Sequence, residues 1–176
     1  MAEKSEFIKS DNFKDNSGSN NTDFRMKWYL FTELNVHQLY ELLALRSDVF
    51  VVEQNCVFLD LDNTDQDAQH LLGFEGEQIV TYCRCYAPKH KYDEYSSIGR
   101  VVTHSEYRSR GLGKRLLQEA IYKLTSLYPT NQIKIGAQSH LGKFYGPKGL
   151  GFENFGDEYD EDGIPHIDML YKKHLE

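Results

Sequence analysis

The segment Arg108-Ser109-Arg110-Gly111-Leu112-Gly113 sets two glycines among basic residues, and with Lys114 and Arg115 it gathers four cations into eight positions. This chemistry suits an anion. A helix start leaves four backbone N–H groups unpaired and carries the positive end of the macrodipole. Glycine lets the backbone come close to a ligand and adopt positive φ. Together these features make a phosphate cradle. The spacing is not GxxxxGK[ST], so it is not a Walker loop. Nor does a third glycine complete GxGxxG, so the dinucleotide fingerprint is absent too. The plain alternative is a glycine-rich helix start whose basic residues are merely solvated.

The elements around the cradle are legible. Ile98–Thr103 reads as a strand that runs into it, and Gly111–Leu127 reads as the helix that it opens. Leu112, Leu116, Leu117, Ala120, Ile121 and Leu124 follow the helical period, and Pro129 marks the end. Upstream, the aromatic stretch Trp28–Thr32 predicts a first strand. Asn35 can cap a helix over 36–50, with Val36, Leu39, Leu42, Leu43, Val49 and Phe50 on its apolar face. Arg46 falls on that face and needs a partner there, either Glu53 or a carboxylate further on. His70–Phe74 and Gln78–Tyr86 predict a hairpin about Glu75-Gly76-Glu77. Ile133–Ala137 predicts a strand, and Ser139–Tyr145 a short helix stopped by Gly146-Pro147. Phe152–Phe155 and His166–Tyr171 predict the last strands. The order β α β β β α β α β β describes an α+β or mixed layer.

Composition narrows the function. The chain has 176 residues and a formal net charge of −7, with 40% hydrophobic and 27% charged residues. That fits one soluble domain. Net acidity argues against nucleic acid, whose binding rests on neutralising phosphates, and suits a cationic partner such as an amine. No apolar run nears the roughly 20 residues of a membrane span. Residues 1–25 are polar and carry no secretory signal, so they read as a disordered or weakly ordered extension before a domain over 26–176. Three cysteines without such a signal point to a reducing cytoplasm. Cys83 and Cys85 alternate on one strand face with Ile79 and Thr81, and read as buried small residues. The acidic stretch 60–67 fails the calcium-loop pattern, with Asp65 at the glycine position and Leu71 at the glutamate position. No metal is expected.

The cradle has company elsewhere in the chain. Phe50–Cys56, Asp60-Leu61-Asp62, Gly99-Arg100-Val101-Val102, Gly136-Ala137-Gln138, Phe144-Tyr145 and Glu161–Ile167 stand in an order that resembles the GNAT superfamily of acyl-CoA N-acyltransferases, in particular its ElaA-like subgroup. The likeness runs from about Met26 to Lys173. It implies a GNAT-like α+β fold, with a mixed, splayed central sheet and flanking helices. It implies acetyl-CoA as co-substrate, its pantetheine arm along Val101-Val102-Thr103 and its pyrophosphate on the amides of Arg108, Ser109, Arg110, Gly111, Leu112, Gly113 and Lys114. It also implies that Tyr145 protonates the departing thiolate. An ordinary phenol, with a pKa near 10, is protonated at neutral pH and able to do so.

An amine acceptor arrives mostly protonated, so a base is needed. Glu53, Asp60, Asp62, His70 and a chain of waters are the alternatives, and Glu53 is the side chain taken forward. Gln138 and His140 flank the turn into the helix of Tyr145. They touch cofactor or acceptor, or merely neighbour a cap at Ser139. Asp62, His70, His140 and His166 are the acceptor-side candidates, although His70 and His166 also suit plain strand starts. The acidic run 157–162 either draws a cationic acceptor or is a solvated loop. The reading is direct acetyl transfer to a small-molecule or peptide amine, with a homodimer possible. The rival is a non-catalytic module that binds acyl-CoA.

Overall fold

The computed structural model describes residues 24–172. The expected extension concerns residues 1–23, which lie outside them. Phe24 and Arg25, assigned to that extension from composition, instead begin strand β1 (Phe24–Leu30). β1 is followed by a single turn at Phe31–Glu33, held by a 2.8 Å hydrogen bond from the Leu30 amide to Glu33. That bond stops the strand short of Thr32.

Helix α1 (Val36–Ser47) starts as its sequence predicts. Asn35 accepts hydrogen bonds from the amides of His37 and Gln38, and Gln38 reaches back to the Asn35 amide. The buried face carries Leu42, Leu45, Arg46 and Val49, while Val36 is exposed. The helix does not run on to residue 50 in α form. It widens into a π-helical turn over Asp48–Glu53, a rare geometry that often accompanies functional sites.

β2 (Gln69–Glu75) and β3 (Gln78–Tyr86) form the expected hairpin, and β4 (Ser96–Thr103) lies beside β3. Helix α2 (Leu112–Leu127), β5 (Ile133–Gln138) and the short helix α3 (Gly142–Tyr145) follow. β6 (Phe152–Glu161) and β7 (Ile164–Tyr171) are the last strands among the described residues. The seven strands make one sheet of order β1-β2-β3-β4-β5-β7-β6, antiparallel except for β4 against β5.

The sheet has a core on each face. α2 covers Leu71, Cys83, Cys85, Ile98 and Ile135 with Leu116, Leu117, Ala120 and Leu124. α1 covers Leu72, Tyr82 and Val102 with Leu42, Leu45 and Val49. Ile79 joins the α1 side, not the face of Cys83 and Cys85. A bulge between Gly73 and Phe74 pairs them with Thr81 and Ile79, leaving Val80 as the extra residue. One extra residue reverses the alternation beyond it.

β6 extends well past Phe155, so the acidic run is no loop. Asp162 and Gly163 both take positive φ, at 54° and 81°, in a two-residue hairpin turn between β6 and β7.

Candidate active site

The chain leaves β4, makes a turn at Ser105–Tyr107 and reaches Gly111 in the left-handed region, at φ 76°. A side chain here would be strained by its backbone, although nothing lies within 4 Å of the added atom. Space for a ligand therefore remains beside the turn. No side chain caps α2. The amides of Leu112, Gly113 and Lys114 thus start the helix without an intrahelical acceptor. Gly113 lies close under β4: an added Cβ would sit 3.1 Å from Thr103 Oγ1. These features fit a pyrophosphate.

The basic side chains are mostly engaged elsewhere. Arg108 donates from Nε to the Thr103 carbonyl at 3.1 Å and from both terminal nitrogens to Glu53 at 2.7 Å. Arg110 pairs with Glu75 and lies 5.3 Å over the Tyr107 ring. Arg115 lies 4.8 Å over the Phe24 ring. The donors this helix start offers to a ligand are therefore first its backbone amides.

Beside the cradle the sheet splays. Ser96 and Ser97 pair with Ile133 and Lys134, and the β4–β5 ladder ends there. Beyond Ser97 the β5-facing edge of β4 has no strand partner among the described residues. In the same stretch Arg100 and Val101 together oppose Cys83, and Arg100 has φ 49°. A left-handed arginine costs on the order of 1–2 kcal/mol. It is held by a 2.7 Å bond to Asp60 and by the rings of Phe50 and Phe58, at 5.9 and 5.7 Å.

The splay opens a cleft of about 420 Å³. Gly99, Arg100 and Val101 line one wall, and Ile135 to Gln138 the other. Phe50, Gln54 and Cys56 close one end, and the β6–β7 hairpin forms the rim. Gln138 donates to Gln54 across it at 3.1 Å.

Tyr145 reaches the cleft from α3. It packs edge-on against Phe144 and Phe152, with centroids at 5.0 and 6.1 Å. Burial, reinforced by Cys83, pushes its phenol well above the ordinary tyrosine value. The phenol therefore stays protonated at neutral pH. His166 also lines the cleft, paired across the sheet with Gln138. His140 is exposed and lies outside the lining. Ser139 does not cap the turn, and its hydroxyl is buried without a partner.

Three candidates stand elsewhere. Glu53 is not the partner of Arg46 and does not line the cleft. The hydrogen bonds from Arg108 hold its carboxyl below the ordinary range, which weakens it as a base. Asp62 binds Arg84 and Thr64. Burial would raise its carboxyl, but Arg84 and Thr64 outweigh that and hold it far below the ordinary range. His70 is fully buried, not on the acceptor side. Its Nε2 lies 2.9 Å from the Asp65 carbonyl and its Nδ1 2.8 Å from the Tyr82 hydroxyl. A carbonyl only accepts, so Nε2 carries the proton. Burial lowers its pKa, keeping the ring neutral.

The downstream carboxylates that satisfy Arg46 are Asp60 and Asp65, each at 2.8 Å. Asp65 also binds Arg84, and Asp60 also binds Arg100. The stretch that invited a calcium reading is thus the acidic half of a buried ion-pair network. No cluster of metal-ligating side chains occurs among the described residues.

The sequence assigns no role to Gln54, Arg100 or Tyr92, and it touches Tyr159 and Glu161 only as members of the acidic run 157–162; all five line the cleft. Asp162-Gly163 is the one signal that could have found some of them. A DG pair is a strong hairpin mark, and the hairpin is what carries Tyr159 and Glu161 to the rim.

A splayed mixed sheet, with a free strand edge running into an uncapped helix start, defines an acyl-CoA N-acyltransferase fold. The acetyltransferase (GNAT) domain family matches residues 51–173. A UPF0039 protein of Synechocystis is 38% identical over 151 residues, spanning 85% of this chain and 96% of the relative. Protein ElaA of Escherichia coli is 39% identical over 140 residues, spanning 78% and 90%. Among solved structures, an acyl-CoA N-acyltransferase from Pseudomonas aeruginosa superposes with a TM-score of 0.79 at 34% identity, covering 85% of this chain and 99% of that one. The crystal structure of E. coli ElaA gives 0.78 at 36%, with the same coverage. The chain belongs to the GNAT acetyltransferase family, with ElaA and the UPF0039 proteins as homologues, and that family points to acyl transfer. No helix among the described residues is long and apolar enough to cross a membrane.

Proposed function

We propose that the chain transfers an acetyl group from acetyl-CoA directly to an amine, in the cytoplasm. The observation that carries the reading is the free edge of β4 beyond Ser97, which runs from the cleft to the uncapped start of α2. One continuous track of backbone donors and acceptors thus joins a phosphate site to the slot holding Tyr145. The backbone of Val101, Val102 and Thr103 orients the pantetheine arm, and the amides of 112–114 hold the pyrophosphate. N–H groups beside the Arg100 bulge polarise the thioester carbonyl. Tyr145 gives its proton to the leaving sulfur.

No covalent enzyme intermediate is needed. Cys83 and Cys85 are buried, and burial pushes the Cys85 thiol far up. Cys56 lies 3.6 Å from the Asp162 carbonyl, which is no base. An amine library screened with acetyl-CoA, reading released thiol, tests the proposal. Thiol release that depends on the amine supports it. Coenzyme A binding with no release for any amine would favour a binding module instead.

A further inference from the structure

We propose that His166 is the base that takes the proton from the acceptor amine, working against the carboxylate of Glu161. This rests on the amine-acetylation reading above and names a catalytic residue for it. The ring is oriented by its own chain. Nδ1 lies 2.8 Å from the Ile164 carbonyl. A carbonyl only accepts, so Nδ1 carries the proton and Nε2 presents a lone pair. Nε2 stands 3.9 Å from Glu161 Oε2. That is too long for a hydrogen bond, so the Nε2 lone pair stays open to a substrate proton with the carboxylate beside it. The Tyr159 ring stacks on the imidazole at 5.9 Å and 25°, which keeps its plane in place.

The position is right for the task. His166 pairs with Gln138 at the end of β5, past the point where β4 and β5 part, and it shares the cleft with Tyr145. Tyr159 and Glu161 from β6 lie against it, and Asp162 from the turn with Lys91 and Tyr92 from the β3–β4 connection line the same cleft. Glu161 and Asp162 line the cleft with a single lysine, Lys91, a net negative set that suits an added positive charge. The Arg100 guanidinium on the opposite wall is matched by Asp60. An imidazole is also better suited than an ordinary carboxylate to an amine proton near neutral pH, because its usual pKa of about 6.5 is closer to the working pH.

The protons balance. Nε2 takes one proton from the ammonium form, and the free amine attacks the thioester carbonyl. The C–N bond forms and the C–S bond breaks. Tyr145 protonates the sulfur, and the second nitrogen proton returns to Tyr145 through water. His166 gives its proton to solvent, which is the one proton the reaction releases.

Two measurements test this on the full chain. Long-range ¹H–¹⁵N spectra of the ligand-free protein are expected to show His166 as the Nδ1–H tautomer; an Nε2–H tautomer overturns the proposal. Kinetics then use wild type, His166→Asn and Glu161→Gln with the best amine of the screen. His166→Asn is expected to lower kcat about 10²-fold and to remove the acid-side limb of the pH profile, with coenzyme A affinity kept. Glu161→Gln is expected to lower kcat about tenfold, because the charge that develops on the ring in the reaction loses its nearby carboxylate. If His166→Asn does not fold, the tautomer and the kcat of Glu161→Gln still decide. Retained kcat in either variant overturns the base and leaves the acetylation reading standing. A wild-type chain that releases no thiol with any amine overturns both.

Discussion

The Glu53 carboxylate accepts two 2.7 Å hydrogen bonds from the single guanidinium of Arg108. Arg108 Nε in turn donates to the Thr103 carbonyl. The π-helical turn that brings Phe50 and Gln54 to the cleft is thereby tied to the end of β4 and to the first residue of the cradle. Glu53 is occupied as an anchor, and the hydrogen bonds that occupy it also make it a weaker base.

Glu53→Gln is therefore expected to leave kcat within about threefold of wild type, where loss of a general base costs about 10²-fold or more. The pair is about two-fifths exposed on each side, so thermal stability should fall by less than about 1 kcal/mol. A steady-state comparison with a melting curve checks both. A hundredfold loss of kcat would return Glu53 to the base role.

Tyr145→Phe removes one oxygen from a site already packed by Phe144 and Phe152. It is expected to lower kcat on the order of 10²-fold while coenzyme A affinity, read by calorimetry, stays unchanged. Burial raises the phenol pKa, so Tyr145 stays protonated beyond the pH at which a free tyrosine ionises. Wild-type activity should then show no fall near pH 10 that vanishes in Tyr145→Phe.

How much of this was legible beforehand depends on the range of each signal. The α2 period, the Asn35 cap and the β2–β3 hairpin are written in neighbouring residues. The full length of β6 is also written locally, in Asp162-Gly163, but the surrounding acid run has the composition of a solvated loop. Other features are long-range. Nothing near Arg46 announces that Asp60 and Asp65 will reach it, 14 and 19 residues on. Nothing near Arg100 announces a left-handed backbone. The splay itself depends on where the ladder between β4 and β5 stops. His70, as an isolated polar residue at a strand start, carried no sign that Tyr82 and Asp65 would enclose it.

Gly111→Ala tests the cradle. The left-handed backbone at 111 strains alanine by about 1–2 kcal/mol. Relief requires the turn to shift, and the amides of 112–114 shift with it. Coenzyme A should bind about tenfold more weakly, with a modest drop in melting temperature. Dephospho-coenzyme A, which keeps the pyrophosphate, should lose the same factor. An unchanged affinity would move the pyrophosphate away from this helix start.

The buried network makes the sharpest stability prediction. Arg46 is fully buried between Asp60 and Asp65. Its replacement by alanine leaves their charges short of a partner and should cost about 3–5 kcal/mol. The same network sets the acid limit of the fold. Burial would raise the Asp65 carboxyl, but Arg46 and Arg84 outweigh it and hold the pKa below the ordinary value; Asp62 is lowered as well. A carboxyl with a lowered folded pKa adds stability above its unfolded value, near 3.9, and loses it as pH falls toward the folded value. His70 acts earlier. Its folded pKa is lowered by burial, so stability starts to fall once pH drops below the ordinary histidine value, near 6.5. Urea unfolding from pH 8 to pH 3 should therefore show a shallow decline beginning near pH 6.5 and a steeper one near pH 4. In His70→Gln the first decline should disappear while the second remains. In Asp65→Asn the second should lose slope, on top of a lower stability at pH 7. A single acid transition with the same shape in all three proteins would refute this assignment.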